Sequence, residues 1–393
     1  MERQLVKRPT TGHFETTIFA EEPVRAFVPA PMPPAPPINF SNLHRPLELA
    51  TIALGSLDAV TRHLPDPDLF IYSYVRREAQ LSSEIEGTQS SLSDLLEFEL
   101  GNRPGALVDD VTEVSNYVAA LDHGLRRMRD DDFPLSNRLL RELHRLLLQS
   151  GRGSEKQPGE FRRSQNWIGG RRPGVAHYVP PPHDQVEPCM GDLERFIHAA
   201  DDGLPSLIRA GLAHAQFESI HPFLDGNGRV GRMLIAFILV QSGALSQPIL
   251  YLSLYLKQFR STYYDLLNQL RDDGDWEAWL QFFLEGVRLT AQHGVETAQR
   301  LTQLFDADRK RIAVSGRRAN SAIRAHHEFM QRPLLTISAV RDATSLSFSA
   351  ADAAVQHLER LGIVEEITGR RRDRRYVYAD YLNTLNEELN PFA

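Results

Sequence analysis

The sequence predicts a mainly α-helical protein that ends in a small winged helix-turn-helix module. Across residues 43–306, apolar residues recur at helical spacing: the stretch "LIRAGLAHAQFESI" puts Leu207, Ala213 and Phe217 on one face. After about residue 320 the pattern becomes helix, helix, turn and helix. Two short strands around the basic turn "GRRRDRR" then follow. This order of elements is typical of a winged helix.

The chain has 393 residues, which is too long for one compact core, so we expect two or three domains. Residues 29–37, "PAPMPPAPP", should be extended and stiff, and should separate a loose N-terminal arm from the rest. The segments we expect are an arm with a proline-rich linker (1–42), an N-terminal helical region (43–110), a central domain (111–305) and the winged helix (306–393).

Charge is distributed unevenly along the chain. Residues 310–380 hold 13 Lys/Arg against 8 Asp/Glu, although the net charge of the whole chain is −7. A basic C-terminal module on an acidic body indicates an anionic partner for that module. Its distinct composition also predicts that it can be removed without unfolding the rest.

Composition argues against a secreted or membrane protein. The single cysteine, Cys189, cannot form an internal disulfide, which fits a reducing compartment. The start "MERQLVKRPTTGHFE" lacks the apolar stretch of a secretory signal. The longest apolar run, "MLIAFILV", is far too short to span a membrane. We therefore expect a cytoplasmic protein.

Residues 159–182, "GEFRRSQNWIGGRRPGVAHYVPPP", interrupt the helical pattern. They are rich in Gly, Pro and aromatic residues and lack helical spacing. Two short strands around a turn, a β-hairpin, are the structure that such a segment favours.

The most informative stretch is "HPFLDGNGRVGR", residues 221–232. Pro222 must end the preceding helix, and a new helix must begin near Gly228. The glycines therefore lie in a tight loop at a helix N-terminus, where backbone N–H groups and the helix dipole favour an anion. Arg229 and Arg232 lie three residues apart on one helical face, so they can clamp further phosphate oxygens.

Two more side chains complete the chemistry of this stretch. Asp225 is a hard oxygen ligand suited to Mg²⁺ on a polyphosphate. His221 stands just before the loop, and a histidine can take a proton from an incoming hydroxyl at neutral pH. The residues alone therefore suggest phosphoryl or nucleotidyl transfer.

The full string resembles the signature of the Fic family, HPFx(D/E)GNGRxxR, and fills every defining position. The resemblance extends over about residues 43–290 and implies a Fic-type helical core with a β-hairpin flap. The usual activity of the family is transfer of AMP from ATP to a Ser, Thr or Tyr hydroxyl of a protein. The resemblance thus implies ATP as substrate, Mg²⁺ as cofactor, and a target protein that the sequence does not identify.

The resemblance also implies a role for each residue of the loop. His221 is the base that deprotonates the target hydroxyl, and Asp225 holds Mg²⁺ on the phosphates. Asn227 lies near the α-phosphate, whereas Arg229 and Arg232 hold the β- and γ-phosphates. The expected ATP contacts are Gly226, Asn227, Gly228, Arg229, Val230, Gly231, Arg232 and, on the adenine, Tyr263.

In this family a hairpin beside the pocket docks the target segment by strand pairing. The matching stretch here is "SQNWIGG" at 164–170. An exposed strand edge can hold a peptide through backbone hydrogen bonds whatever the peptide sequence. The expected docking residues are Ser164, Gln165, Asn166, Trp167, Ile168 and Gly169.

An upstream stretch, "LSSEIEGT", carries a second signal. A helix over 72–86 would have an apolar face that ends in Ser82 and Glu86, with Gly87 as its C-cap. A glutamate at the end of an apolar face needs a cationic partner. The stretch resembles the inhibitory motif of the family, (S/T)xxxE(G/N), which implies that Glu86 pairs with Arg232 and blocks a productive γ-phosphate position.

Three other functions remain open. A Doc-like kinase departs from the glycines of "DGNGR", and because both glycines are present here, AMP transfer is favoured. Removal of AMP at the same site stays open, since an inhibitory glutamate also orients water in some relatives. The third alternative is a DNA-binding regulator with a Fic sensor domain, with 349–361 as its recognition helix. That helix offers few base-reading side chains, so protein contacts or a homodimer are equally compatible with the module.

Overall fold

A computed structural model of the chain describes residues 11–19, 22–63, 67–101, 108–199, 202–316 and 318–389. As expected, the described part is mainly helical, with two small antiparallel sheets. The helices are α1 (His44–His63), α2 (Pro67–Ile85), α3 (Leu92–Glu99), α4 (Val108–Arg129), α5 (Asn137–Leu147), α6 (His183–Ile197), α7 (Ser206–Ile220), α8 (Asn227–Gln241), α9 (Leu252–Gln258), α10 (Arg260–Asp273), α11 (Trp276–Ala313), α12 (Ala319–Gln331), α13 (Ile337–Thr344), α14 (Phe348–Arg360) and α15 (Ala379–Leu385). The strands are β1 (Gly12–Phe19), β2 (Glu22–Pro29), β3 (Leu334–Thr336), β4 (Glu365–Glu366) and β5 (Arg375–Val377).

Helix α7 lies at the centre of the core. From Leu207 to its end, every residue except Arg209 is buried. Small residues let neighbouring helices approach it closely, and the carbonyl of Gly211 accepts a hydrogen bond of 2.8 Å from the indole of Trp279 on α11. Helix α8 is buried to a similar extent and packs against α7. The loop between α7 and α8 is therefore held at both ends by buried helices.

The expectation of a loose N-terminal arm over 1–42 is wrong for its described part. Strands β1 and β2 pair in an antiparallel hairpin, and the backbone N–H of Phe27 donates to the carbonyl of Val179 at 2.9 Å. Along β2, Val24, Ala26 and Val28 are buried while Arg25 is exposed. Phe27 and Pro29 are buried as well, so burial alternates only at the start of the strand, and the prolines of this region indicated a linker instead.

The C-terminal segment has the expected order of elements. Helices α12, α13 and α14 are followed by β4 and β5, and β5 lies between β3 and β4 in a three-stranded antiparallel sheet. Pro333 follows the end of α12, as expected. Thr336 and Ser347 cap the N-termini of α13 and α14 with their side-chain oxygens.

Two of the expected segment boundaries do not fall in linkers. The boundary after residue 110 lies inside α4, and the boundary after residue 305 lies inside α11, a single helix of 38 residues. The C-terminal segment also packs on α2. The Ser73 hydroxyl lies 2.7 Å from the Tyr381 hydroxyl in a buried contact, and Arg77 donates to the carbonyl of Asn386 at 3.4 Å.

Within the described ranges, none of the helices combines the length and the apolar character that a membrane crossing requires.

Candidate active site

His221 and Gly226 shape the loop that joins α7 to α8. His221 ends α7 in the left-handed region, at φ 49°, and its N–H donates to the carbonyl of Phe217 at 2.9 Å. Gly226 precedes α8, also in the left-handed region, at φ 75°. A non-glycine residue with positive φ is uncommon, so the conformation of His221 is one that the surrounding contacts must hold.

Asn227 closes the loop on itself. Its Oδ1 accepts from the N–H of Phe223 at 2.9 Å, and its Nδ2 donates to the carbonyl of the same residue at 2.9 Å. The side chain is almost fully buried. In this structure the side chain of Asn227 therefore shapes the loop.

His144 on α5 packs against the loop and holds it by hydrogen bonds. Its ring stacks on Phe223, with centroids 3.8 Å apart, and its Nδ1 accepts from the N–H of Gly159 at 2.8 Å. Its Nε2 must then carry the proton and donate to the carbonyl of Asp225 at 3.0 Å. Burial lowers the pKa of His144 to about 4, which keeps this neutral tautomer at physiological pH.

The first turn of α8 is covered by a carboxylate. Oε1 of Glu86 occupies the space where a Cβ on Gly228 would stand. The N–H groups of a first helical turn have no partners within the helix and attract anions. Glu86 therefore occupies the place that the sequence assigned to a phosphate.

Arg232 donates hydrogen bonds to two residues at the end of α2, Ser82 and Glu86. Its Nη2 donates to Oε1 of Glu86 at 2.8 Å and to the carbonyl of Ser82 at 2.8 Å, and its Nε donates to the Ser82 hydroxyl at 2.7 Å. Gly87 follows with φ 100°, the conformation expected of a glycine after a helix. Burial opposes ionisation of Glu86, but Arg232 outweighs it and holds the pKa of Glu86 below its usual value.

Arg229 is paired with a different carboxylate. Its Nη1 donates to Oε2 of Glu113 on α4 at 2.9 Å, and both side chains are buried. Its Nη2 lies 3.8 Å from Oδ1 of Asp225. Arg152 also contacts Glu113, with Nε 3.2 Å from Oε1 and Nη2 3.4 Å from Oε2, and it donates to the carbonyl of Glu86 at 3.3 Å.

Asp225 has a side chain that a cation could reach. It is partly exposed, and its Oδ1 accepts from the N–H of Gly226 at 2.6 Å. Within the described ranges, no group of three or more His, Cys, Asp or Glu side chains is arranged to hold a metal. A single carboxylate suits Mg²⁺ that keeps its waters and shares substrate phosphates, so Asp225 fits that kind of site.

His221 is electrically neutral in this environment. Burial, together with the charges of Arg162 and Arg271, lowers the pKa of His221 to about 3. Arg162 also donates from Nε to the carbonyl of His221 at 2.9 Å. The imidazole is therefore unprotonated and able to accept a proton throughout the physiological range.

The expected hairpin at 159–182 is reduced to a single bridge. Ile168 and Tyr178 pair as antiparallel partners around a short 3-10 turn at Pro173–Val175, and no strand of regular length forms. The prolines that end this segment explain the limited pairing, because proline removes a backbone donor. Asn166 ties the segment to the loop, since its Nδ2 donates to the carbonyl of Phe223 at 3.3 Å.

All of the expected ATP contacts except Gly228 are buried in this structure. The Tyr263 side chain is 1% exposed, and its hydroxyl donates to Nε2 of His214 at 2.9 Å. His214 in turn donates from Nδ1 to the carbonyl of Gly231 at 2.9 Å, and Val230 is fully buried. Tyr263 therefore belongs to the core and does not form an open wall for adenine. The helical spacing of Tyr263 on α10 is typical of a core residue. It was a better guide to the position of Tyr263 than the expected adenine contact.

The sequence analysis missed Glu113, His144 and Arg152. Glu113 lies between Val111 and Val114 on the buried side of α4, so a lone carboxylate on an apolar face was a usable signal. His144 likewise lies on the buried face of α5 beside Leu143. Arg152 lies in a glycine-rich turn and carried no pattern that would distinguish it.

Two family models match successive parts of the chain. The Fic/DOC family N-terminal model matches residues 44–126, and the Fic/DOC family model matches residues 134–239. Among curated proteins, protein adenylyltransferase Fic of Culex quinquefasciatus is 31% identical over 206 residues, which cover 51% of this chain and 38% of that protein. The protein of the same name from Drosophila melanogaster is 34% identical over 145 residues, which cover 37% of this chain and 26% of the relative. The chain thus spans well under half the length of these relatives.

Solved structures agree with this assignment at the level of the fold. A Fic family protein from Desulfovibrio desulfuricans superposes with a TM-score of 0.59 at 21% identity, covering 88% of this chain and 98% of that one. A Fic domain containing signaling protein from Bacteroides thetaiotaomicron gives a TM-score of 0.53 at 20% identity, covering 65% of this chain and 97% of that one. Residues 44–126 and 134–239 are therefore similar to the N-terminal and the main models of the Fic/DOC family, and the chain shares the fold of these solved structures.

Proposed function

We propose that this protein is a protein adenylyltransferase that transfers AMP from ATP to a hydroxyl of a target protein and of itself. The observation that carries the proposal is the α7–α8 loop, where a neutral histidine and two arginines surround a glycine-lined helix N-terminus. The curated relatives that resemble this chain are named protein adenylyltransferase Fic, which supports the same activity.

In this proposal each group of the loop has one task. His221 accepts the proton of the target hydroxyl as its oxygen attacks the α-phosphorus of ATP, and the bond to the β-phosphate oxygen breaks, releasing pyrophosphate. The first-turn N–H groups of α8, with Arg229 and Arg232, stabilise the charge on the phosphates. Mg²⁺ bound at Asp225 would neutralise further phosphate charge. Because few groups change covalently, most of the catalysis comes from positioning and electrostatics.

We propose further that Glu86 inhibits the enzyme. Its carboxylate occupies both Arg232 and the space above Gly228, so a nucleotide cannot place its γ-phosphate there while the pair is formed. Glu86 lies just beyond the end of α2, and its side chain keeps 30% of its surface exposed. A side chain at a helix end can move away without unfolding the helix, so the block is reversible.

The segment 164–169 is the proposed docking site for the target. Ser164 and Gly169 are exposed, while Gln165 and Asn166 anchor the segment through hydrogen bonds to the Pro180 and Phe223 carbonyls. A segment anchored on one side and open on the other can pair with an extended peptide.

The position of the radioactive label in ATP tests the proposed reaction. Glu86→Gly protein incubated with ATP labelled at the α-phosphorus should become labelled, and the same protein with ATP labelled at the γ-phosphorus should not. Label from the γ-position alone would instead establish a kinase of the Doc-like kind. Loss of AMP from a pre-modified target, faster with wild type than with Glu86→Gly, would establish removal of AMP as the main activity.

A second function is favoured by the C-terminal segment, which we propose is a winged helix that binds DNA. Three consecutive arginines, Arg370, Arg371 and Arg372, are exposed in the turn between β4 and β5. Arg374 is held by Asp352 on α14 at 2.8 Å, which fixes this turn beside the helix. Phosphate contacts of this kind weaken steeply with salt. An electrophoretic shift that disappears in the triple alanine variant of 370–372 would support the proposal, and equal shifts would refute it.

A further inference from the structure

The two arginines of α8 differ in how their carboxylate partners are held. Glu86, the partner of Arg232, lies beyond a helix end and is 30% exposed. Glu113, the partner of Arg229, lies inside the long helix α4, and its side chain has no exposed surface. One carboxylate can therefore leave its arginine, whereas the other is fixed in the core.

Glu113 is also braced by a second arginine, Arg152, whose Nη2 donates at 3.4 Å to Oε2, the oxygen that Arg229 binds. Arg152 approaches its Oε1 to 3.2 Å, and the turn that carries Arg152 is tied to α4 because Asn116 donates to the carbonyl of Ser150 at 3.0 Å. Arg152 itself is half exposed, so it can neutralise the buried carboxylate while it remains hydrated. Glu113 thus contacts two cations, Arg229 and Arg152.

We propose that Glu113 is a positioning residue that holds Arg229 in the orientation needed to bind the nucleotide phosphates. The inference rests on the adenylyltransferase function proposed above. Glu113 engages Nη1 of Arg229, and Nη2 is directed to the Asp225 side of the loop, where the phosphates would lie. A planar guanidinium held at one nitrogen presents its other nitrogen in a fixed direction.

Competition between Glu113 and phosphate is the opposite possibility. It would require Glu113 to release a buried arginine, yet a carboxylate without exposed surface has no water to replace that contact. Removal of the negative charge at 113 should therefore weaken ATP binding. If Glu113 were a competitor, as Glu86 is in our proposal, the same change would strengthen it.

The test compares Glu113→Gln with a matched control in the Glu86→Gly background, where the block on Arg232 is absent. The control is Glu142→Gln on α5, which also removes a carboxylate from an arginine, here Arg127 at 3.2 Å, outside the loop. We measure initial rates of AMP incorporation against ATP concentration, and the Kd for ATP by calorimetry. We expect KM and Kd to rise at least about ten-fold, about 1.4 kcal/mol, with kcat nearly unchanged. Glu142→Gln should leave both constants as they were.

Two further variants keep the test decisive. Glu113→Asp retains the charge and should recover part of the lost affinity, and Arg229→Ala combined with Glu113→Gln should be no worse than Arg229→Ala alone. If Glu113→Gln does not fold, Arg152→Ala, which removes the brace together with the contact to the carbonyl of residue 86, should raise Kd by a smaller factor. Unchanged or tighter ATP binding would overturn the inference. No AMP incorporation by Glu86→Gly itself would refute the proposed function, while the calorimetric Kd values would still decide the role of Glu113.

Discussion

Oε1 of Glu86 lies 2.8 Å from Nη2 of Arg232, although the two residues are 146 positions apart in the chain. The same oxygen stands over Gly228 at the start of α8. This one carboxylate therefore pairs with an arginine and also lies beside a helix N-terminus. These are the two features that would suit the loop to phosphate. The ion pair joins the end of α2 to the first turns of α8, so in the proposed mechanism the position of α2 would control nucleotide binding.

His221→Ala should abolish AMP transfer and leave ATP affinity within about two-fold of the parent. In the proposed mechanism the imidazole acts on the incoming hydroxyl, and other groups hold the phosphates. The measurement pairs labelled AMP incorporation with calorimetric ATP binding, both in the Glu86→Gly background. Parent-like incorporation by the alanine variant would remove His221 from the mechanism.

The activity should show no acid transition at the ordinary pKa of histidine. Because the pKa of His221 is lowered to about 3, the imidazole stays neutral as pH falls from 8 to 5, and its ability to accept a proton is lost only far below. We expect the rate of Glu86→Gly at saturating ATP to stay within about three-fold between pH 8 and pH 5.5. A ten-fold fall centred near pH 6.5 would show that His221 titrates normally.

Acid should not relieve the inhibition in the same range. The pKa of Glu86 is held below its usual value by Arg232, so the ion pair is present above the unfolded pKa and is lost only as pH falls through the lower, folded one. The ratio of Glu86→Gly to wild-type rates should therefore be constant from pH 8 to pH 5.5. If the wild-type rate approached the rate of the variant at pH 5.5, the ion pair would be weaker than this prediction requires.

Removal of the C-terminal segment should be tolerated, but at a cost in stability. A chain ending at residue 315 would expose the face of α2 that packs on α12 and α15, including the buried Ser73–Tyr381 contact. We expect one cooperative thermal transition, several degrees below that of the full chain. Tyr381→Phe removes only the hydroxyl and should lower the midpoint much less. Loss of any cooperative transition on truncation would show that the segment is part of one folding unit.

Patterns within a few residues of one another predicted the helices around the loop and the loop itself. Helices α7 and α8, the loop between them and the end of α2 follow from apolar spacing, Pro222 and the glycines, all signals within a few residues. Glu113 and His144 act on the loop from 116 and 81 positions away, and no short-range pattern connects them to it. Strand β2 was missed because the prolines of this region indicated a linker, and because the Val179 carbonyl that accepts from Phe27 lies far along the chain.

The measurement that tests the account most directly is AMP incorporation by wild type, Glu86→Gly and Glu86→Gly/Arg232→Ala. Loss of one charge-assisted pair, about 1.5–3 kcal/mol, should raise the population of productive ATP poses about ten- to a hundred-fold. Glu86→Gly should therefore modify itself and its target much faster than wild type. The double variant should be inactive again, because the gain depends on the freed arginine. Equal rates for wild type and Glu86→Gly would contradict the inhibitory role of Glu86 and leave its contact with Arg232 as an ordinary helix-end ion pair.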